Sequence, residues 1–249
     1  MQGRIHSIET TGMVDGPGVR YMIFTQGCLL RCQYCHNPDS WDLSAGKNMS
    51  VKELVDDIKK YVPYMKASGG GVTVSGGEPL LQMDFLTELF KELKALDIHT
   101  AIDSSGGSYS SADNYQSSFK ALLEVTDLFL VDLKQMDDEK HRSLTGVTNR
   151  HILEFAKELS KREIPMWIRH VLVPGKTDDE ADLKKLAKFI SELNGVERIE
   201  ILPYHLMGKY KWDEMGLVYP LGDTPSPSES ATNHAISILQ KENPEIPVG

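Results

Sequence analysis

Short apolar runs alternate along the chain with longer stretches in which apolar residues return every three or four positions. The first kind reads as strand and the second as amphipathic helix. Strands are predicted at Tyr21–Gln26, Gly71–Ser75, His99–Asp103, Leu128–Leu133, Met166–Val173 and Arg198–Pro203. A further strand near Arg4–Glu9 pairs outside this series. Ser50-Val-Lys-Glu53 reads as a capping box ahead of Val51, Leu54, Val55, Ile58 and Val62 at helical spacing. Thr177-Asp-Asp-Glu180 reads as a second box, leading into Leu183, Leu186, Ala187, Ile190 and Leu193, with Gly195 as the stop. Phe85, Leu86, Leu89, Phe90 and Leu93 make a third stripe, and such stripes face a core. Residues 223–228 form a Pro/Ser loop before a C-terminal helix.

Strands alternating with helices imply a parallel sheet with helical crossovers, here in one domain spanning 1–249. Six units fall short of the eight of a closed barrel. The expected fold is therefore α/β: a partial (β/α)6 barrel of parallel strands with helices on the outside. Ligands of such folds sit at the carboxyl ends of the strands. Those ends carry Cys28, Gly76-Gly77-Glu78, Asp103, Asp132 with Lys134, and His205, while Arg169 lies within the fifth strand.

Composition narrows the class. With 27 Lys+Arg against 36 Asp+Glu and a net charge of −9, a broad phosphate-binding surface is disfavoured, so no nucleic-acid partner is expected. No apolar run approaches the ~18 residues of a membrane helix, and the opening MQGRIHSIET lacks the apolar segment of a signal peptide. A cytoplasmic protein without a membrane partner is expected.

The three cysteines all fall within Cys28-Leu-Leu-Arg-Cys32-Gln-Tyr-Cys35. An odd number packed this closely is no disulfide framework. Two metal sites suit it. One is a structural zinc knuckle with His36 as fourth ligand. The other is a cubane iron–sulfur cluster, which ordinarily takes four cysteines and here keeps one iron open for chemistry.

The Cys-x3-Cys-x2-Cys spacing, with Tyr34 before the last cysteine, resembles the signature of the radical S-adenosylmethionine enzymes. Ser75-Gly-Gly-Glu-Pro79 resembles their Gly-Gly-Glu segment. Asp15-Gly-Pro-Gly-Val-Arg20, followed by Phe24 and Gly27, is similar to the branch that activates glycyl-radical proteins. Tyr34-Cys-His-Asn37, Asp132-Leu-Lys134, Val173-Pro-Gly175 and Leu202-Pro-Tyr-His205 extend that similarity over almost the whole chain. The resemblance implies a 4Fe-4S cluster on Cys28, Cys32 and Cys35, with S-adenosylmethionine as co-substrate. It implies cofactor contacts from Tyr34, His36, Gly76, Gly77, Glu78, Asp132, Leu133, Lys134, Arg169 and His205. A monovalent cation, Na+ or K+, is implied at Asp103, Ser104 and Asp132. The implied reaction is reductive cleavage to a 5′-deoxyadenosyl radical, which takes hydrogen from a glycine of a protein substrate. Pyruvate formate-lyase is the implied target, gripped through its backbone by Asp15, with a flavodoxin-like or ferredoxin-like reductant and a monomeric enzyme.

Other readings stand beside this one. They are an activase of a different glycyl-radical enzyme, a radical enzyme acting on a small molecule, and a zinc-stabilised binding domain built on Cys28, Cys32, Cys35 and His36. Lys134 and Arg169 also suit ordinary salt bridges. Trp167, Trp212 and the histidines other than His36 and His205 read as structural.

Overall fold

The N-terminal strand runs further than its apolar alternation suggests: in the computed structural model, which describes residues 1–249, β1 spans Gln2–Gly12. It pairs antiparallel with β2 (Arg20–Thr25) and, on its other side, with β3 (Lys47–Ser50). The sequence Lys47-Asn-Met-Ser50 has no apolar alternation, which is why β3 is invisible to periodicity; it is a short polar edge strand. Helix α1 (Val51–Ile58) starts at the expected capping box, with Ser50 Oγ accepting from Glu53 N at 3.2 Å and Glu53 accepting from Ser50 N at 2.7 Å. After α2 (Val62–Ser68), β4 (Gly71–Gly76) lies parallel to β2.

Helix α3 (Met83–Ala95) buries the Phe85, Leu86, Leu89, Phe90 and Leu93 stripe and leads into β5 (His99–Ser104), parallel to β4. Ile23, Val74 and Ile102 stand in one row across the three parallel strands and are all buried. Strands of a parallel sheet are buried on both faces, and here the polar Thr73 and Thr100 are buried along with the apolar residues. Helix α4 (Asp113–Leu123) then precedes β6 (Leu128–Asp132), the hydrogen-bonded neighbour of β5.

Two compact units account for the chain: residues 1–29 with 40–130, and residues 30–39 with 131–249. The second contains α5 (Asp138–Thr145), α6 (Arg150–Lys161), β7 (Met166–Leu172), α7 (Glu180–Ser191), β8 (Val196–Pro203), α8 (Lys209–Glu214) and α9 (Glu229–Glu242). Strand β7 lies between the end of β6 and β8, and runs parallel to β8. Ser228 caps α9, so the 223–228 loop ends where expected. Both ends of each of the six expected strands fall within two residues of the observed ones. No helix is long and apolar enough to cross a membrane.

Two expectations need correction. Thr177 caps no helix: its hydroxyl donates to Val171 O at 2.6 Å and accepts from Val173 N at 2.7 Å, closing the end of β7. Asp179 caps α7 instead, accepting from Asp182 N. Gly195 is not the stop either, because α7 ends at Ser191. Gly195 turns the chain at φ +77°, where a Cβ would meet Ile164 O at 2.6 Å.

Arg20 explains the end of the Asp-Gly-Pro-Gly-Val-Arg segment structurally. Its side chain is wholly buried, with Nε donating to Thr73 Oγ1 at 2.8 Å and a guanidinium nitrogen donating to Val72 O at 2.6 Å. Burial pulls its pKa down to about 10 against the opposing pull of Asp127 and Asp15, so it stays charged. Replacing it by Met strands buried acceptors, and Arg20→Met is expected to lose about 3 kcal/mol in urea unfolding.

Candidate active site

In the first unit the site is built from strand ends. Gly27 N donates to Ser40 O at 2.7 Å and Cys28 N to Trp41 O at 3.3 Å, which holds the start of the cysteine motif against the returning chain. Residues 76–78 close over the end of β2, with Gly77 N donating to Thr25 O at 2.9 Å and Glu78 N to Gly27 O at 2.7 Å. A Cβ on Gly76, whose φ is +112°, would sit 2.3 Å from Thr25 N; one on Gly77 would sit 2.2 Å from Gly27 O. Glycine is required at both positions by this close backbone approach.

Glu78 does not present a free carboxylate. It is buried, and Oε1 accepts from Ser104 Oγ at 2.5 Å and Leu80 N at 3.2 Å, while Oε2 accepts from Ser105 Oγ at 2.7 Å. Those hydroxyls in turn accept from Gly106 N and Gly107 N. The Glu78 side chain thus orders the loop after β5, a role the sequence did not reveal, and Ser104 serves it. Asp103 accepts from Ser75 Oγ at 2.7 Å. Asp15, half-buried before β2, has its carbonyl held by Thr73 Oγ1 at 2.7 Å.

In the second unit the rest of the cysteine motif is a loop held from α5: Arg31 N donates to Thr145 O at 2.7 Å and Gln33 N to Leu144 O at 2.9 Å. Cys35 N donates to Cys32 O at 3.0 Å. Burial pushes the Cys32 thiol up to about 12, although nearby Lys134 pulls the other way, so its thiolate requires a metal or cation. Lys134 pairs with Asp132 at 2.8 Å and lies 5.7 Å from the centre of the Tyr34 ring. Burial pushes the Asp132 carboxyl up, but Lys134 and Arg169 outweigh it and hold it below the usual carboxylate range.

Leu133 is buried, and its backbone is engaged within the protein: N donates to Arg169 O at 2.9 Å, and its carbonyl faces His170 Nδ1 at 2.7 Å. Arg169 forms an ion pair with Glu200 at 3.7 Å, the ordinary salt bridge its sequence context also suited. His36 stacks on His205 with ring centroids 4.3 Å apart, and its Nε2 meets the His205 carbonyl at 3.3 Å. Burial and the neighbouring His205 hold His36 below the usual imidazole range. Trp212, read from sequence as structural, donates from Nε1 to Cys35 O at 2.9 Å. No periodic pattern could have pointed to it.

A family model, the radical SAM superfamily, matches residues 22–187. The chain belongs to the radical SAM superfamily. Curated pyruvate formate-lyase-activating enzymes of Staphylococcus epidermidis and Staphylococcus aureus are 52% and 53% identical over 249 residues, all of this chain and 99% of theirs. Among solved structures, a domain of a pyruvate-formate lyase-activating enzyme from Bacteroides vulgatus matches with TM-score 0.59 and 30% identity, over 72% of this chain and 99% of that one. Streptococcus suis SuiB bound to its precursor peptide matches with TM-score 0.67 over 92% of this chain and 48% of that one, at 16% identity, a likeness of fold alone. The α/β partial barrel expected from the strand pattern is the fold this superfamily member has.

The residues fit the superfamily's cofactors. All three cysteines are thiols, and soft thiolates suit iron–sulfur ligation. Tyr34 Oη and His205 Nδ1 are buried without a hydrogen-bond partner in the protein, the condition of polar atoms that await a ligand.

The Asp132–Lys134 pair has a pH signature. A carboxyl held below its unfolded value near about 3.9 adds stability above that pH, and the gain is lost as pH falls through the folded value. In Lys134→Met the half-buried carboxyl loses its cation, so the acid-side loss is expected to move to higher pH in urea midpoints measured from pH 3 to 8. An unchanged pH profile would remove the pair from this role.

Proposed function

We propose that the chain activates pyruvate formate-lyase by converting one glycine of that protein into a glycyl radical. The observation that carries this is the match, over the whole length, to relatives bearing that activity in their names. Cys28, Cys32 and Cys35 would hold the 4Fe-4S cluster, which would supply the single electron that cleaves S-adenosylmethionine to methionine and a 5′-deoxyadenosyl radical. Lys134, beside Asp132 and over Tyr34, offers a half-buried ammonium for the carboxylate or ribose oxygens of the co-substrate. His205 offers its unpartnered Nδ1 to the nucleoside. Gly76, Gly77 and Glu78 contribute backbone polar groups, and His36 orders the cysteine loop by stacking on His205. Arg169 acts through Asp132, whose charge it helps to hold.

Asp103, Ser104 and Asp132 are the candidate ligands of a monovalent cation, Na+ or K+, beside the methionine carboxylate. A low-potential flavodoxin-like or ferredoxin-like protein supplies the electron, to a monomeric enzyme in the cytoplasm, where thiols stay reduced. The substrate side follows from its chemistry. Glycine has no side chain to grip, so positioning rests on backbone contacts, and Asp15 accepts N–H groups of the extended target loop. Hydrogen passes from the glycine α-carbon to the adenosyl radical, giving 5′-deoxyadenosine and a backbone radical delocalised over the flanking amides.

Incubated anaerobically with a reductant, S-adenosylmethionine and pyruvate formate-lyase, the chain is expected to generate a glycyl radical visible by electron paramagnetic resonance. Asp15→Asn is expected to keep the cluster spectrum and S-adenosylmethionine binding while slowing radical formation roughly tenfold to a hundredfold. A radical formed on another glycyl-radical enzyme, and none on pyruvate formate-lyase, would reassign the target; wild-type rates in Asp15→Asn would return Asp15 to a turn residue.

A further inference from the structure

We propose that Trp212 and Lys211, on the short helix α8, are positioning residues that hold the second half of the cysteine motif in shape before any metal arrives. The geometry stands alone; its meaning for catalysis rests on the reading of Cys28, Cys32 and Cys35 as cluster ligands. Residues 31 and 33 are tied to the end of α5, and a second set of contacts reaches the segment from Cys35 to Asp39. The chain after β8 does this with four residues. The His205 ring stacks on His36. Gly208 approaches so closely that a Cβ there would lie 2.6 Å from His36 Cα. Trp212 Nε1 donates to Cys35 O at 2.9 Å, and Lys211 Nζ reaches Asn37 Oδ1 at 2.8 Å and Asp39 Oδ2 at 3.0 Å.

The Trp212 bond can run in one sense only, because indole is a donor without an acceptor. Its direction is set by packing: Trp212 is 4% exposed and meets the Tyr219 ring edge-on at 5.4 Å. The Tyr219 hydroxyl bonds that of Tyr204 at 2.8 Å, and Tyr204 immediately precedes His205. An aromatic frame therefore fixes the donor. The donor fixes the peptide plane joining Cys35 to His36, and with it the frame from which the Cys35 thiol projects. Supporting bonds of this kind hold metal ligands in place and are felt in metal retention.

Trp212→Phe keeps a ring against Tyr219 and removes only the N–H. In the metal-free protein, amide exchange at residues 34–39 is expected to accelerate about tenfold, with α6, α7 and α9 keeping their protection. In the iron-loaded protein, a chelator is expected to strip iron severalfold faster. Should that variant not fold, Lys211→Met, which removes the ammonium reaching Asn37 and Asp39, is expected to give the same local pattern. Unchanged exchange at 34–39 would overturn the proposal. So would acceleration spread evenly over the second unit, which would make Trp212 a core residue and nothing more. Local loosening in a protein whose wild type binds no iron would uphold the brace while refuting the cluster reading.

Discussion

The close backbone approach of Gly76, Gly77 and Glu78 to Thr25 and Gly27 is the constraint on which the first unit's half of the site depends. Two residues without a Cβ are needed for it, since any side chain at 76 or 77 would meet backbone atoms closer than 2.5 Å. Once made, it ties the end of β4 to the end of β2, one residue before Cys28. It also buries the Glu78 carboxylate, and a buried carboxylate must find donors. Ser104 and Ser105, at the end of β5, provide them. One steric requirement thereby fixes three neighbouring strand ends.

The second unit works by charge and by bracing. Asp132 stays ionised in a half-buried place because Lys134 and Arg169 face it, and Arg169 is itself steadied by Glu200. Lys134 in turn favours thiolate at Cys32, where burial alone would keep the proton on sulfur. The cysteine loop is held from α5 through residues 31 and 33 and from α8 through residues 35 to 39. Thiolates on a loop held at both flanks can accept metal without reordering the chain, which is the physical content of preorganisation.

Much of this was legible before any coordinates. The six strands of the α/β alternation announced themselves as short apolar or alternating runs between helical stripes, and the cysteines because chance does not place three thiols so close. What was illegible has local causes. Strand β3 is polar and at an edge, so no periodicity marks it. Thr177 sits in a sequence that fits a capping box, yet its hydroxyl serves the end of β7, and spacing cannot tell those partners apart. Glu78 and Leu133 follow the ends of β4 and β6, but their engagement with Ser104, Ser105, Arg169 and His170 depends on long-range contacts that no local pattern shows. Trp212 meets Cys35 across 177 positions of sequence, with nothing nearby to single it out.

The central claim is that this chain moves one hydrogen atom from a glycine α-carbon of pyruvate formate-lyase to a nucleoside radical. Mass spectrometry of the 5′-deoxyadenosine formed in a single anaerobic turnover, with a target labelled by α-deuterated glycine, tests it most directly. The account predicts one deuterium per 5′-deoxyadenosine, in step with the glycyl radical formed. 5′-Deoxyadenosine without deuterium, produced while the target remains diamagnetic, would contradict it.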